Sequence, residues 1–291
     1  MRETRSLLWT HTPSEGRNSG SISPRVIIWI NQEGRIVKIC VLASGSSGNC
    51  TFISTGQTRV LVDAGLSARQ IRERLSAIGE DLERIDAIFI THEHTDHIGG
   101  LQSIAKKFTV PIYVARLAAP RLCWDGCKPK VELFQAGSGF SVGDLDIQTF
   151  TIPHDAADPV GFALRAPGLK VAICTDLGYI PESVKFHLRD TDFLVLESNH
   201  DLEMLKVGPY PWAIKQRVMG RNGHLSNDAV SQFILDDLDA KVGTLVLGHL
   251  SEQNNHPAIA RLSAEQALKR RAHSARLAIA ERGKPTEIFT L

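Results

Sequence analysis

The sequence predicts an α/β protein in which two sheets pack face to face with helices on their outer sides. Three observations predict it: short apolar runs bounded by turn residues recur from residue 36 onward, they alternate with segments of helical spacing, and there are no internal repeats. Composition agrees. Of 291 residues, 43% are hydrophobic and 22% charged, which excludes wholesale disorder. The longest apolar runs, such as Val26 to Ile30, are too short to cross a bilayer, so no membrane association is expected. Five cysteines without a regular framework fit a reducing cytoplasm better than a disulfide scaffold. A net charge of +1 announces no nucleic-acid binder, so an anionic substrate would need local charges or metal ions.

The first 36 residues stand apart. They hold Ser, Gly, Asn, Arg and Pro in irregular order and a net charge of +2, which leaves −1 for residues 37–291. The folded domain is expected to start near Val37, with residues 1–36 a disordered or loosely docked leader. A sharper expectation makes Val37 the initiator, read from a GTG codon, with a ribosome-binding sequence in the codons of Gln32-Glu33-Gly34. N-terminal sequencing of the native protein that began at Met1 would sink that idea.

From there the elements follow in order. Ile36 to Leu42 reads as a strand, Ala43 to Asn49 as a Ser/Gly loop, and Cys50–Ser54 and Arg59–Val62 as strands. Ser67 to Ile78 has helical spacing (Ile71, Leu75, Ile78) and stops at Gly79. Ile85 to Ile90 is a buried strand. Further strands are expected near 112–114, 131–134, 145–152, 161–164, 171–174, 193–196 and 244–247. Helices are expected at 182–188, 212–219, 227–235 with Ser226 as N-cap, and from Pro257 to about Ala280 with Pro at the first helical position.

The chemistry concentrates in Thr91-His92-Glu93-His94-Thr95-Asp96-His97-Ile98-Gly99-Gly100. Four potential metal ligands lie within six positions, directly after a buried strand. On an extended segment His92 and His94 point the same way, and the turn before Gly99 swings Asp96 and His97 to a second position. A zincin helix is excluded, because its second histidine would fall at Asp96.

This segment resembles the ligand motif of the metallo-β-lactamase-fold superfamily, and the resemblance runs over residues 37–291. Asp63 in Leu61-Val62-Asp63, His154 after Thr151-Ile152-Pro153, Asp176 after Cys174-Thr175 and His249 after Leu247-Gly248 follow in the family's order. The resemblance implies a four-layer αββα sandwich over residues 37–291. It also implies a dinuclear site: His92, His94 and His154 on one divalent ion, Asp96, His97 and His249 on the other, and Asp176 bridging. Asp63 would orient a ligand from behind. Mixed nitrogen and oxygen donors suit Zn(II) or Mn(II) without choosing between them. Such a pair can share and acidify a water and stabilise attacking and leaving oxygens. Asp176 stands where lactam-hydrolysing members carry Cys, which argues against antibiotic hydrolysis.

Leu196-Glu197-Ser198-Asn199 and Gly223-His224-Leu225-Ser226-Asn227 resemble paired motifs of the superfamily's nucleases. The resemblance implies that His224 contacts the scissile phosphate and protonates the leaving oxygen, with Glu197 orienting it; Asp96, His224 and Glu197 are the expected catalytic residues. A carboxylate beside imidazole raises its pKa toward working pH. The other account of His224 is a solvated residue at a helix start capped by Ser226. Lys215, Arg217, Arg221 and Ser226 could clamp phosphates, and a solvated helix face accounts for the basic three equally well.

The opening Leu42 to Asn49, Gly208-Pro209-Tyr210-Pro211-Trp212 and His249-Leu250-Ser251-Glu252-Gln253-Asn254-Asn255-His256-Pro257 resemble the YycJ (WalJ) branch, regarded as DNA exonucleases. Amides of the Ser/Gly loop could line the site mouth. Only 73 positions separate Asp176 from His249, too few for the two motifs and an inserted cap domain together. The expected function is a dinuclear-metal-dependent phosphodiester hydrolase, a DNA exonuclease, with DNA favoured over RNA. The alternatives are a small-molecule ester, thioester or lactone hydrolase and an RNA-processing nuclease. The cysteines carry no assigned role; Cys174 shares parity with Asp176 and is placed facing inward near the metals.

Overall fold

Residues 37–291 are described by the structure, a computed structural model; the expectations for residues 1–36 lie outside them. The first sheet holds β1 (Lys38–Ala43), β2 (Cys50–Ser54), β3 (Arg59–Val62), β4 (Ala87–Phe89), β5 (Ile112–Ala115) and β6 (Val131–Phe134), side by side in chain order. The second holds β7 (Gly139–Val142), β8 (Leu145–Thr151), β9 (Val160–Ala166), β10 (Leu169–Cys174), β11 (Phe193–Glu197), β12 (Thr244–Gly248) and β13 (Arg276–Ile279), again in order. The short β14 (Phe289–Thr290) returns to pair antiparallel with β1.

Helices α1 (Ala68–Ala77), α2 (Thr95–Ile98) and α3 (Leu101–Ala105) connect strands of the first sheet. Those after the second sheet's strands are α4 (Glu182–Leu188), α5 (Leu202–Val207), α6 (Trp212–Val218), α7 (Asn227–Asp236) and α8 (Pro257–Arg271). Ser67 starts α1 as half of a capping box with Gln70, and Ser226 caps α7 by accepting from the Ala229 amide.

Side-chain parity sorts the layers. Val171, Ile173, Phe193 and Val195 join the first sheet's residues in one core, where Phe89 of β4 and Phe162 of β9 bring their rings to 5.7 Å across the sheets. Ala172, Cys174, Leu194 and Leu196 face the other way, under Val184 of α4, Val230 and Phe233 of α7 and Ala264 and Leu268 of α8. With Ile71 and Leu75 of α1 buried on the first sheet, the order is helix, sheet, sheet, helix. Cys174 therefore packs beneath the outer helices instead of facing the site, and burial pushes its thiol pKa up.

The expected helix from Pro257 to Ala280 is corrected. It stops at Arg271, Ala272 takes the left-handed conformation at φ 54°, and Arg276–Ile279 becomes a strand. Leu277 and Ile279 alternate with smaller residues, and that period-two pattern suits a strand added at the sheet edge.

Strand direction sets the position of the site. β3 and β4 run parallel, as do β10, β11 and β12. β8 is antiparallel to β9, which is antiparallel to β10, so β8 runs with the latter. The segments that follow β3, β4, β8, β10, β11 and β12 meet at one edge of the sandwich.

Candidate metal centre

Three backbone positions at that edge are unusual. Asp63 and His249, directly after β3 and β12, and Asp176, two residues past the end of β10, have φ of 63°, 54° and 61°. Side chains rarely adopt this left-handed region, at a cost of about 1–3 kcal/mol each, and glycine would relieve it. That two aspartates and a histidine stand there points to what their side chains do.

The first ligand group is His92, His94 and His154. His92 Nε2 lies 3.0 Å from His94 Nδ1, which lies 3.3 Å from His154 Nε2. Tetrahedral coordination at metal–nitrogen lengths of about 2.0–2.1 Å separates neighbouring nitrogens by about 3.3 Å, so the spacing fits a shared ion. Burial pushes the His92 and His154 pKa values down, keeping both neutral as ligation requires.

The second group is Asp96, His97 and His249. Asp96 Oδ2 lies 3.6 Å from His97 Nε2 and 3.5 Å from His249 Nε2. Each imidazole is held by its other nitrogen: His97 Nδ1 donates to Asp63 Oδ2 at 2.7 Å and His249 Nδ1 to Glu197 Oε1 at 2.7 Å. Asp63 also accepts from the Thr91 amide and hydroxyl, which fixes it in turn. Asp176 lies between the groups, Oδ2 3.3 Å from His97 Nε2 and Oδ1 4.0 Å from His154 Nε2.

Two buried atoms here, Asp176 Oδ2 and His249 Nε2, make no hydrogen bond. An unpartnered buried carboxylate oxygen and imidazole nitrogen are costly, and a divalent cation would satisfy both. Burial alone would lower the His249 pKa, but the Asp176 charge, the nearby Asp96 carboxylate and the bond to Glu197 raise it to about 10. His97 is likewise raised well above its usual range, against burial, by Asp63 and Asp176. The donor set thus fits divalent metal ions.

Glu197 closes β11 fully buried. Its Oε1 accepts from both His224 Nδ1 at 2.8 Å and His249 Nδ1, while Oε2 accepts from the Leu177 and Leu225 amides. One carboxylate therefore orients the expected acid and an expected ligand together. Burial pulls the His224 imidazole down, and the Glu197 charge and hydrogen bond outweigh it, so its pKa is raised. The His224 ring lies 5.2 Å from those of both His154 and His249.

The expected phosphate contacts divide. Lys215 is buried and its ammonium donates to the Lys206 carbonyl at 2.7 Å, so it is not free for a phosphate. The Ser226 hydroxyl accepts from the Ala229 amide as a cap. Arg217 pairs with Asp155 at 2.6 Å, and Arg221 lies over the Tyr179 ring. Arg217 and Arg221 line one open depression with Asp155.

The Ser/Gly loop does something other than expected. Gly45 N donates to Asn49 Oδ1, Gly48 N to Gly45 O and Asn49 N to Asp96 O, so these amides do not line a mouth. Ser44 and Asn49, which sequence reasoning passed over, support the site: Ser44 Oγ accepts from the His249 amide, and the Asn49 backbone amide donates to the Asp96 carbonyl. Their signal was present as polar residues set among glycines between two apolar strands.

Residues 58–250 match a family model described as Beta-lactamase superfamily domain. Among curated proteins, the chain is 34% identical over 237 residues to Exodeoxyribonuclease YycJ of Bacillus anthracis, spanning 79% of this chain and 88% of that protein. It is 35% identical over 231 residues to Exodeoxyribonuclease WalJ of Streptococcus pneumoniae, spanning 78% and 86%. Of solved structures, the metallo-beta-lactamase fold protein YhfI from Bacillus subtilis superposes with a TM-score of 0.64 at 19% identity, over 86% of this chain and 99% of that one. Zn(2+)-bound PqqB from Methylobacterium extorquens gives 0.63 at 16% identity, over 86% and 99%.

Proposed function

The chain belongs to the β-lactamase superfamily, and from that premise we propose that it is a dinuclear-metal-dependent phosphodiester hydrolase acting as a DNA exonuclease, working in the cytoplasm. The observation that carries the reading is the buried Glu197 holding His224 Nδ1 at 2.8 Å beside histidines and aspartates close enough to hold metal ions. The preference for DNA over RNA rests on the exodeoxyribonuclease relatives at 34–35% identity. Among the described residues, no helix is long and apolar enough to cross a membrane.

In this reading His92, His94 and His154 would hold one ion and Asp96, His97 and His249 the other, with Asp176 within reach of either group. Two divalent ions, zinc or manganese, supply water activation near neutral pH and charge stabilisation on phosphate oxygens. The protein supplies the rest. Asp63 and Glu197 fix the His97 and His249 tautomers so that each presents Nε2 to the site. Glu197 holds the Nδ1 proton of His224, leaves Nε2 for the substrate side, and raises the pKa of the ring. The Nε2 proton then passes to the departing sugar oxygen, a poor leaving group without an acid.

Replacing His224 by Ala tests this. Cleavage of natural DNA linkages should fall about 10²- to 10⁴-fold with metal content unchanged. A p-nitrophenyl phosphodiester, whose leaving group needs no acid, should lose far less. Equal losses on both substrates, or none on either, would remove His224 from the acid role.

A further inference from the structure

Beside the ligands of the first group lies an open depression of about 470 Å³, lined by Asp155, Arg217, Gly220, Arg221 and Asn222. Its size falls within the range of about 300–1,000 Å³ usual for small-molecule sites, room for one nucleoside with its phosphate. Every wall is joined to the chemistry. Asp155 follows His154, with Oδ1 3.5 Å from His154 Nε2, and its other oxygen holds Arg217 at 2.6 Å. Arg221 is three residues before His224, and Tyr179 three after Asp176. Their two loops are pressed together: a Cβ on Gly178 would lie 2.2 Å from the Arg221 carbonyl oxygen. The Arg221 guanidinium sits 4.2 Å from the centroid of the Tyr179 ring.

We propose that this depression is a nucleoside subsite, in which the Arg221 guanidinium, backed by Tyr179, is the floor on which a base next to the scissile phosphate stacks. The inference rests on the nuclease reading and adds what the site grips. A guanidinium plane stacks on bases of any identity, so the subsite holds a strand end without reading sequence. The Tyr179 ring keeps that plane from turning. Arg217, tied to Asp155, is the side wall; its charge is compensated there, so it shapes the pocket more than it attracts phosphate. Arg221 is the exposed cation without an acidic partner among these side chains.

The test uses the full chain with metals bound. Its substrates are single-stranded DNA ends carrying a tetrahydrofuran abasic residue in place of either nucleoside flanking the terminal linkage. Wild-type protein should show KM raised about 5- to 150-fold for one of the two abasic substrates. Arg221→Lys keeps the charge and loses the plane. It should raise KM on normal DNA by a similar factor and leave KM on that abasic substrate unchanged. Terminal 2-aminopurine, quenched on binding wild type, should stay bright with Arg221→Lys. Tyr179→Leu should weaken both effects in the same direction, and if it does not fold the exposed Arg221 variants suffice. If neither abasic substrate raises KM, or if Lys substitutes fully for Arg while Arg221→Gln weakens all substrates alike, Arg221 attracts phosphate only and the stacking proposal is overturned with the nuclease reading intact. A protein that cleaves esters or thioesters and no nucleic acid overturns both.

Discussion

Gly65 lies under the backbone of the ligand loop, closer than any side chain allows. A Cβ placed on it would sit 1.7 Å from the Asp96 carbonyl oxygen and 2.6 Å from the Asn49 amide nitrogen, where ordinary contact starts at 3.4 Å. The two strands of chain cannot slide apart singly. Asn49 N donates to Asp96 O, and Gly65 N donates to Asn49 O, so Gly65, Asn49 and Asp96 form one bonded unit. Gly65→Ala must therefore lift the Asp96–His97 turn by about 1.5 Å against its own hydrogen bonds, overpacking that costs about 1–3 kcal/mol or more. A fall in Tm of several degrees follows, at about 2–4 °C per kcal/mol for a chain of this size. Because the displaced residues carry the second ligand group, activity should fall about 100-fold or more. Melting curves, bound metal by mass spectrometry and the rate on DNA read the three effects. Gly56→Ala, with nothing within 4 Å of its Cβ, is the control and should be indistinguishable from wild type. A Gly65→Ala protein with wild-type Tm, metal content and rate would refute the idea that this glycine seats the ligand loop.

Two pH effects follow from the charges. In the metal-free protein His249, raised to about 10, and His97, raised above its usual range, both carry protons at pH 7, and ligation must displace them. Loading the second group should release about two protons near neutrality and weaken as pH falls; calorimetry in buffers of different ionisation enthalpy reads the number, and a buffer-independent heat would contradict it. Protonated His224 is the active acid, so in metal-loaded protein the rate on DNA should decline as pH rises through its raised pKa. Glu197→Gln removes the charge that raises it and should move that alkaline limb to lower pH, measured on protein of checked metal content. An unmoved limb would assign it to another group.

Much of the candidate site was legible because the residues it brings together sit at strand ends, where the apolar pattern stops at a lone polar residue. His92, His94, Asp96 and His97 are close in sequence, and Asp63, His154, Asp176 and His249 each follow a buried strand. What was hidden depends on convergence. Glu197 was expected to orient His224, but the same oxygen also accepts from His249, 52 residues away, and only the sheet's parallel order brings both there. Lys215 looked like a surface cation because helix spacing does not reveal that the short α6 turns it toward the Lys206 carbonyl. The end of α8 was missed because Ala272 occupies a left-handed position that glycine or asparagine usually marks. The doublet Gly99-Gly100 has its reason in space as well: a Cβ on Gly100 would meet the Leu66 carbonyl oxygen at 2.1 Å.

The measurement closest to the central claim is degradation of end-labelled single- and double-stranded DNA and RNA by the purified chain with added Mn(II) or Zn(II), beside an Asp96→Ala, His97→Ala double variant. The account predicts metal-dependent shortening of DNA from an end, lost in the double variant. A protein that carries two metal ions and leaves every strand intact would contradict it.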